Sequence, residues 1–176
     1  MIPHAKRAIF FDRDGTLMEE VHYCRRPSDV HAIPGAADAL SHAHLAGYLT
    51  IVVTNQSGIA SGIIPLLAYR EVEAELARQL EHGIDAVYFS PDAADSPSPR
   101  RKPGIAMLEE AARDHGLSLA DSWLIGDKDI DIQCGKSAGC RTILVLTGYG
   151  RHHLTSGADH VACDVAEAVD YILHQS

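Results

Sequence analysis

The chain has 176 residues, of which 46% are hydrophobic and 22% charged, and its formal net charge is −9. This length suits one folded domain spanning residues 1–176 with a sizeable core, and the composition excludes a disordered chain. The acidic balance argues against nucleic acid as a partner, because binding along a phosphate backbone depends on many Lys and Arg side chains.

The chain lacks the patterns of membrane and secreted proteins. No apolar run approaches membrane-spanning length and the N-terminus has no signal-peptide pattern, so we expect a cytoplasmic protein without a membrane partner. None of the cysteines has a spacing typical of zinc sites, and we interpret them as small buried hydrophobic residues. They are Cys24, Cys134, Cys140 and Cys163.

Strand and helix signals alternate along the chain. Short apolar runs predict five strands, at residues 7–11, 49–53, 86–89, 123–125 and 142–146. Helical periodicity with end signals predicts five helices, at residues 36–46, 66–82, 105–115, 130–138 and 165–173. Two segments read as irregular: 17–31, which we expect to form a flap over a site, and 91–99, a loop that contains three prolines.

This alternation predicts an α/β fold, a doubly wound, Rossmann-like parallel sheet with helices on both faces. Ligands bind such sheets at the carboxyl ends of the strands. The unusual polar clusters of this chain all follow a strand or open the helix after one. They are Asp12-Arg13-Asp14-Gly15-Thr16, Thr54-Asn55-Gln56-Ser57, Arg101-Lys102-Pro103-Gly104 and Gly126-Asp127-Lys128-Asp129-Ile130-Asp131.

Each cluster alone has an ordinary structural explanation, such as a helix cap or a solvated turn. Together they contain the parts that phosphate-ester hydrolysis requires. Asp12 can attack phosphorus, which divides one difficult step into two, and Asp14 can serve as general acid and base. Thr54 and Lys102 can donate hydrogen bonds to the phosphoryl oxygens and neutralise charge.

Carboxylates at these strand ends also predict a Mg²⁺ site, because that ion prefers oxygen ligands and substrate phosphate. We predict that Asp12, Asp14 and Asp127 hold it. Asp129 reads as solvated, and Asp131 as a residue that orients its loop.

With these motifs, the chain resembles the haloacid dehalogenase-like phosphatases over nearly its whole length. The paired aspartates Asp12 and Asp14, the strand-end Thr54, Lys102 and the Gly-Asp-x-x-x-Asp segment from Gly126 carry the resemblance. It implies a magnesium-dependent phosphomonoesterase with an aspartyl-phosphate intermediate. The detailed forms Asp-Arg-Asp-Gly-Thr and Arg-Lys-Pro-Gly resemble the branch that acts on heptose bisphosphates and histidinol phosphate.

Two departures from that branch lie around the pocket. The branch commonly holds zinc in a loop before the Arg-Lys-Pro segment, but residues 91–99 contain no Cys or His, so we predict no zinc. Ser61 stands where the heptose enzymes usually have an arginine. The intervals between the clusters are already filled by predicted core elements, which leaves no room for a large cap domain.

The resemblance implies a small phosphorylated metabolite as substrate, and we predict a heptose bisphosphate. Histidinol phosphate or another small phosphoester, the 3′-phosphate of a nucleic acid, and a non-catalytic phosphate-binding scaffold are the alternatives. Candidate substrate-binding residues are Asn55, Gln56, Ser57, Arg101 and Lys128. Further candidates for a second anionic group are Arg25, Arg26 and Arg100.

Overall fold

Six parallel strands form the centre of the protein, in a computed structural model that describes residues 5–175. The strands lie side by side in the order β3-β2-β1-β4-β5-β6. Their bounds are β1 Arg7–Phe11, β2 Tyr48–Asn55, β3 Ala86–Ser90, β4 Trp123–Gly126, β5 Arg141–Val145 and β6 His160–Ala162.

Helices cover both faces of this sheet. Their bounds are α1 Ala36–Leu45, α2 Ser57–Ala60, α3 Leu66–Gln79, α4 Ala106–His115, α5 Asp129–Ser137 and α6 Val165–His174. One core cluster joins α1, α3 and α6 to Ile9 and Phe11, while the other joins α4 and α5 to Ala8 and Phe10. This division follows from the strand geometry, since successive side chains of β1 point to opposite faces. The predicted doubly wound α/β fold is confirmed.

The direction of winding reverses at β1. The chain passes from β1 to β2 and β3 on one side, then returns to place β4 on the other side of β1. Phe11 pairs with Val52 of β2 and with Ile125 of β4, and the Asp12 N–H donates to the Ile125 carbonyl at 2.9 Å. The residues that follow β1 therefore lie at the topological switch point, where such sheets bind their ligands.

The five predicted strands and five predicted helices are all present, with ends that differ by a few residues. The helix predicted to reach residue 82 ends at Gln79, because Glu81 and His82 have φ angles of 53° and 58° that no α-helix accommodates. The interval between the first and second polar clusters holds α1, and the interval between the second and third holds α2, α3 and β3. This arrangement is expected for a fold without a large cap.

Within residues 5–175 four elements were not predicted: β6, the four-residue helix α2, and two 3₁₀ turns at Pro27–Asp29 and Gly150–His152. The interpretation of the cysteines was wrong for Cys163, which is exposed, whereas the other three are buried. Among residues 5–175 no helix is both long and apolar enough to cross a bilayer.

Candidate active site

A cavity of about 210 Å³ opens at the carboxyl ends of β1, β2 and β4. All four predicted clusters contribute to its surroundings, although they are far apart in the sequence. The residues predicted as catalytic that line it are Asp12, Asp14, Thr54 and Lys102. The predicted substrate-binding residues that line it are Asn55, Gln56, Ser57 and Lys128.

Lys102 is the buried cation of the site. Its Nζ donates to Asp12 Oδ1 at 2.6 Å and to the Val53 carbonyl at 2.7 Å, and it lies 2.7 Å from Asp131 Oδ1. Its backbone is held as well, because the Asn55 side chain exchanges two 3.0 Å hydrogen bonds with the Lys102 N–H and carbonyl. Asn55, predicted to bind substrate, thus fixes the segment that carries Lys102.

Three buried carboxylates converge beside this lysine. Oxygen atoms of Asp12, Asp127 and Asp131 lie within 4.8 Å of one another. This group differs from the predicted metal ligands, since it includes Asp131 and does not include the Asp14 carboxylate. Asp131 also accepts from the Lys128 N–H at 3.1 Å through Oδ2, which is the predicted loop-orienting role.

Asp127 has one oxygen that is held and one that is available. Its Oδ2 accepts from the Tyr149 N–H at 2.8 Å, whereas its Oδ1 is buried and has no hydrogen-bond partner within the described residues. A buried oxygen without a donor is costly unless another ligand satisfies it. The arrangement therefore fits a hard cation held between Asp127 and Asp12, with oxygen ligands of the kind that Mg²⁺ prefers.

Two glycines allow Asp127 to occupy this position. A Cβ on Gly15, at φ +85°, would lie 2.3 Å from Asp127 Oδ2, and one on Gly148, at φ +55°, would lie equally close. The Thr147 hydroxyl donates to the Gly15 carbonyl at 2.6 Å and joins the two glycine turns. The segment after β5 therefore braces the carboxylate, a role that was not predicted from the sequence.

Burial makes the carboxyl groups of Asp12 and Asp127 hard to ionise. Desolvation raises the pKa of Asp12 to about 6, although Lys102 opposes the change. Desolvation and the neighbouring Asp12 raise the pKa of Asp127 to about 8. Lys102 stays charged, because Asp12 and Asp131 raise its pKa further than burial lowers it.

Asp14 is oriented by two neighbours on the other side of the cavity. Arg13 donates to both of its carboxylate oxygens, from Nε at 3.0 Å and from Nη2 at 3.1 Å. The Gln56 amide donates to Asp14 Oδ2 at 2.9 Å and to Thr54 Oγ1 at the same distance. Gln56 thereby links the predicted acid/base residue to the predicted phosphoryl-binding hydroxyl.

Lys128 lies at the rim of the cavity. Its Nζ is 3.5 Å from Glu20 Oε2 and 4.7 Å from the centroid of the Tyr149 ring. Residues Val21, His22, Tyr23 and Cys24 line the same cavity, so the predicted flap does border the site.

The four arginines predicted as candidates for binding an anionic group are not among the residues that line this cavity. Arg101 lines a second cavity beneath the proline loop and donates to the Ala94 carbonyl at 3.2 Å. Arg100 is bonded to Glu110 and to the Phe89 carbonyl, and exposed Arg26 pairs with Asp29. Arg25 is exposed as well. The structure thus leaves Lys128 as the predicted cationic side chain at the mouth of the first cavity.

The sequence and structure are similar to those of known phosphatases. A family model described as HAD-hydrolase-like matches residues 99–168. The D-glycero-D-manno-heptose-1,7-bisphosphate 7-phosphatase of Thermosynechococcus vestitus is 38% identical, with 94% of each chain covered. The same-named protein of Chlorobaculum tepidum is 35% identical, with 96% of each chain covered.

This chain belongs to the HAD-like hydrolase family. It is accordingly a phosphoric monoester hydrolase. A solved D,D-heptose 1,7-bisphosphate phosphatase from B. bronchiseptica, complexed with magnesium and phosphate, superposes with a TM-score of 0.89 at 29% identity. That comparison covers 97% of this chain and 99% of the other. Phosphatases of the HAD-like family generally use Mg²⁺, which agrees with the three-aspartate cluster of this member.

Proposed function

We propose that this HAD-like phosphatase hydrolyses a heptose 1,7-bisphosphate at its 7-phosphate, with Mg²⁺ and an aspartyl-phosphate intermediate. The observation that carries the proposal is the clustering of Asp12, Asp127, Asp131 and Lys102, three of which, Asp12, Asp131 and Lys102, line one cavity. The substrate is supported by relatives of that name that are 35–38% identical over nearly the whole chain.

Asp12 is the nucleophile in this mechanism. Its Oδ1 is held by Lys102, which leaves the other oxygen to attack phosphorus. The bond from phosphorus to the sugar oxygen breaks as the bond to Asp12 forms, and water later attacks the phosphoryl group to regenerate the carboxylate. The Asp12, Asp127 and Asp131 carboxylates would hold Mg²⁺, which when bound offsets the charge repulsion between the anionic nucleophile and the anionic substrate.

Asp14 moves the protons. It lines the cavity beside Asp12 and has its carboxyl oriented by Arg13 and Gln56. In the first step it donates a proton to the departing sugar oxygen, and in the second it accepts one from the attacking water.

The remaining polar groups stabilise charge on the transferred phosphoryl group. The Thr54 hydroxyl, buried next to Gln56, is a donor to a phosphoryl oxygen, and the Lys102 ammonium offsets negative charge. The cavity is also lined by Asn55, Gln56, Ser57 and Lys128. Of these, Lys128 is suited to a second anionic group because its ammonium lies at the rim.

The test is a comparison of substrates under Mg²⁺. Released inorganic phosphate and kcat/KM are measured for heptose 1,7-bisphosphate, histidinol phosphate, a 3′-phosphorylated oligonucleotide and p-nitrophenyl phosphate, with Asp12→Asn as the blank. We expect the highest kcat/KM for the heptose bisphosphate and a heptose 1-phosphate as the product. A higher kcat/KM for histidinol phosphate or for the oligonucleotide would contradict the proposed substrate.

A further inference from the structure

Arg13 is a buried cation that the mechanism above uses only through its contact with Asp14. Its side chain is 1% exposed, and its guanidinium lies 5.5 Å from the centroid of the Tyr69 ring. Two of its nitrogens donate to Asp14, which leaves Nη1 on the far side of the guanidinium. A buried guanidinium is stable only when its charge and its donors are matched.

Glu73 supplies the matching acceptor. It lies on α3, sixty positions along the chain from Arg13, and its Oε1 accepts from Arg13 Nη1 at 2.6 Å. The Glu73 side chain is itself only 16% exposed. The guanidinium therefore bridges two carboxylates, one in the cavity and one on a helix of the surrounding core.

This bridge determines the orientation of Asp14. The guanidinium is planar and its donors have a fixed fork geometry, so anchoring Nη1 on Glu73 also fixes the directions of Nε and Nη2. Those two donors hold both oxygens of Asp14, while Gln56 holds one of them from a second direction.

We infer that Glu73 is a positioning residue for the reaction, which acts through Arg13 to hold the Asp14 carboxyl where it exchanges protons with the departing oxygen. The inference rests on the proposed function, in which Asp14 is the general acid. The rival interpretation is that Glu73 only attaches α3 to the β1 loop and so contributes stability alone.

The two interpretations differ in how the loss depends on the leaving group. A sugar alkoxide needs a proton as it departs, whereas p-nitrophenolate is a weak base that departs without one. A misplaced acid therefore slows cleavage of the sugar phosphate and has little effect on cleavage of p-nitrophenyl phosphate. A general loss of fold or of metal would slow both.

The experiment measures single-turnover release of the leaving group, with enzyme in excess, for the heptose bisphosphate and for p-nitrophenyl phosphate. This readout isolates transfer to Asp12 from the later hydrolysis. Glu73→Leu removes the acceptor, and Glu73→Gln keeps an oxygen for Arg13 Nη1. Glu75→Leu, on the same helix and bonded to Arg78 and Gln79, is the matched control. Asp14→Asn gives the loss of rate expected when the general acid itself is removed.

We expect Glu73→Leu to slow release of the leaving group from the sugar phosphate about 10-fold to 100-fold, and from p-nitrophenyl phosphate less than about 3-fold. Glu73→Gln should recover most of the rate, and Glu75→Leu should match the wild type. Melting temperatures are recorded for all variants. Should Glu73→Leu fail to fold, Glu73→Asp, which keeps the charge on a side chain one methylene shorter, is expected to show the same selective loss.

Suppose that Asp14→Asn slows only the sugar phosphate, while Glu73→Leu slows both substrates equally or neither. That result would overturn the role of Glu73 and leave the proposed function intact. If Asp14→Asn also slowed both substrates alike, the acid role of Asp14 would be wrong, and the inference about Glu73 would fail with it.

Discussion

Charge balance among a few buried side chains decides what the site can hold. Asp12, Asp127 and Asp131 are 6%, 0% and 1% exposed, and they face one buried ammonium, that of Lys102. If all three carboxylates are ionised, one cation leaves an excess of negative charge that is expensive to bury. A divalent ion next to the unpartnered Asp127 Oδ1 would offset this excess, which is why the site fits Mg²⁺.

Removal of Lys102 should affect stability strongly, because the lysine is buried between two carboxylates. Lys102→Met leaves Asp12 and Asp131 without their shared partner, and we expect a loss of about 3–5 kcal/mol in the free energy of unfolding. Urea denaturation in the presence of a chelator measures it. Lys136→Met, which removes an exposed ammonium 3.9 Å from Asp159, is the control and should lose less than about 1 kcal/mol. Equal losses in the two variants would contradict the account of Lys102.

Sequence reasoning singled out candidate residues where polar side chains follow a strand or open the helix after one. Asp12, Asp14, Thr54 and Lys102 were predicted in this way, and all four line one cavity. Glu73 could not be found, because its role depends on a contact across sixty positions of the chain.

Elements rather than residues bring the parts of the site together. The loop after β1 and the loop after β5 meet at Gly15 and Gly148, and Asp127 at the end of β4 lies against both glycines. The contribution of the β5 loop was not predicted because it is made by the Tyr149 backbone N–H, which leaves no mark in the residue pattern. The two glycines on either side of Tyr149, Gly148 and Gly150, were the available signal.

Gly15→Ala tests this convergence. The new Cβ would lie 2.3 Å from Asp127 Oδ2, so we expect the Mg²⁺ concentration for half-maximal activity to rise about 10-fold or more. Gly139→Ala is the matched control, because Gly139 has the same φ of +85° and no atom within 4 Å of its Cβ position.

Both alanine variants should lose about 1–2 kcal/mol of stability from the left-handed backbone. Only Gly15→Ala should change the response to Mg²⁺ in a titration of activity. An unchanged Mg²⁺ requirement in Gly15→Ala, or a similar rise in Gly139→Ala, would show that the glycine does not serve Asp127.

Strand β6 could not be predicted from the sequence pattern. It has three residues, His160–Ala162, and its central Val161 is 39% exposed. A run this short at the edge of a sheet has neither the apolar continuity of the inner strands nor a regular alternation. Its position is set instead by pairing with β5, which only the folded sheet supplies.

At the scale of the whole molecule, folding, protons and metal binding are coupled. Burial raises the pKa of Asp12 to about 6 and that of Asp127 to about 8, from an ordinary value of 3.8. Between the ordinary pKa and the raised pKa, each group keeps its proton in the folded, metal-free protein but has lost it in the unfolded chain. Their contribution to stability is therefore lost as the pH rises from the ordinary value through the raised values.

Mg²⁺ should reverse this loss, because binding requires the ionised carboxylates. We expect the difference in melting temperature between Mg²⁺ and chelator to widen as the pH rises from about 5 to about 8. Because the two melting temperatures are compared at the same pH, the titration of groups that do not contact the ion, such as surface histidines, affects both equally and cancels. Asp127→Asn should abolish the pH-dependent difference, and a difference that is constant or narrows with pH would contradict the coupling.

In the proposed mechanism, Asp12 carries the phosphoryl group between the two half-reactions. Excess enzyme is mixed with the heptose bisphosphate, quenched in acid and analysed by mass spectrometry of the peptide that contains Asp12. We predict a transient gain of one phosphoryl group on Asp12, and neither that gain nor turnover in Asp12→Asn. Steady turnover by Asp12→Asn, or a phosphoryl group on a different residue, would contradict the account.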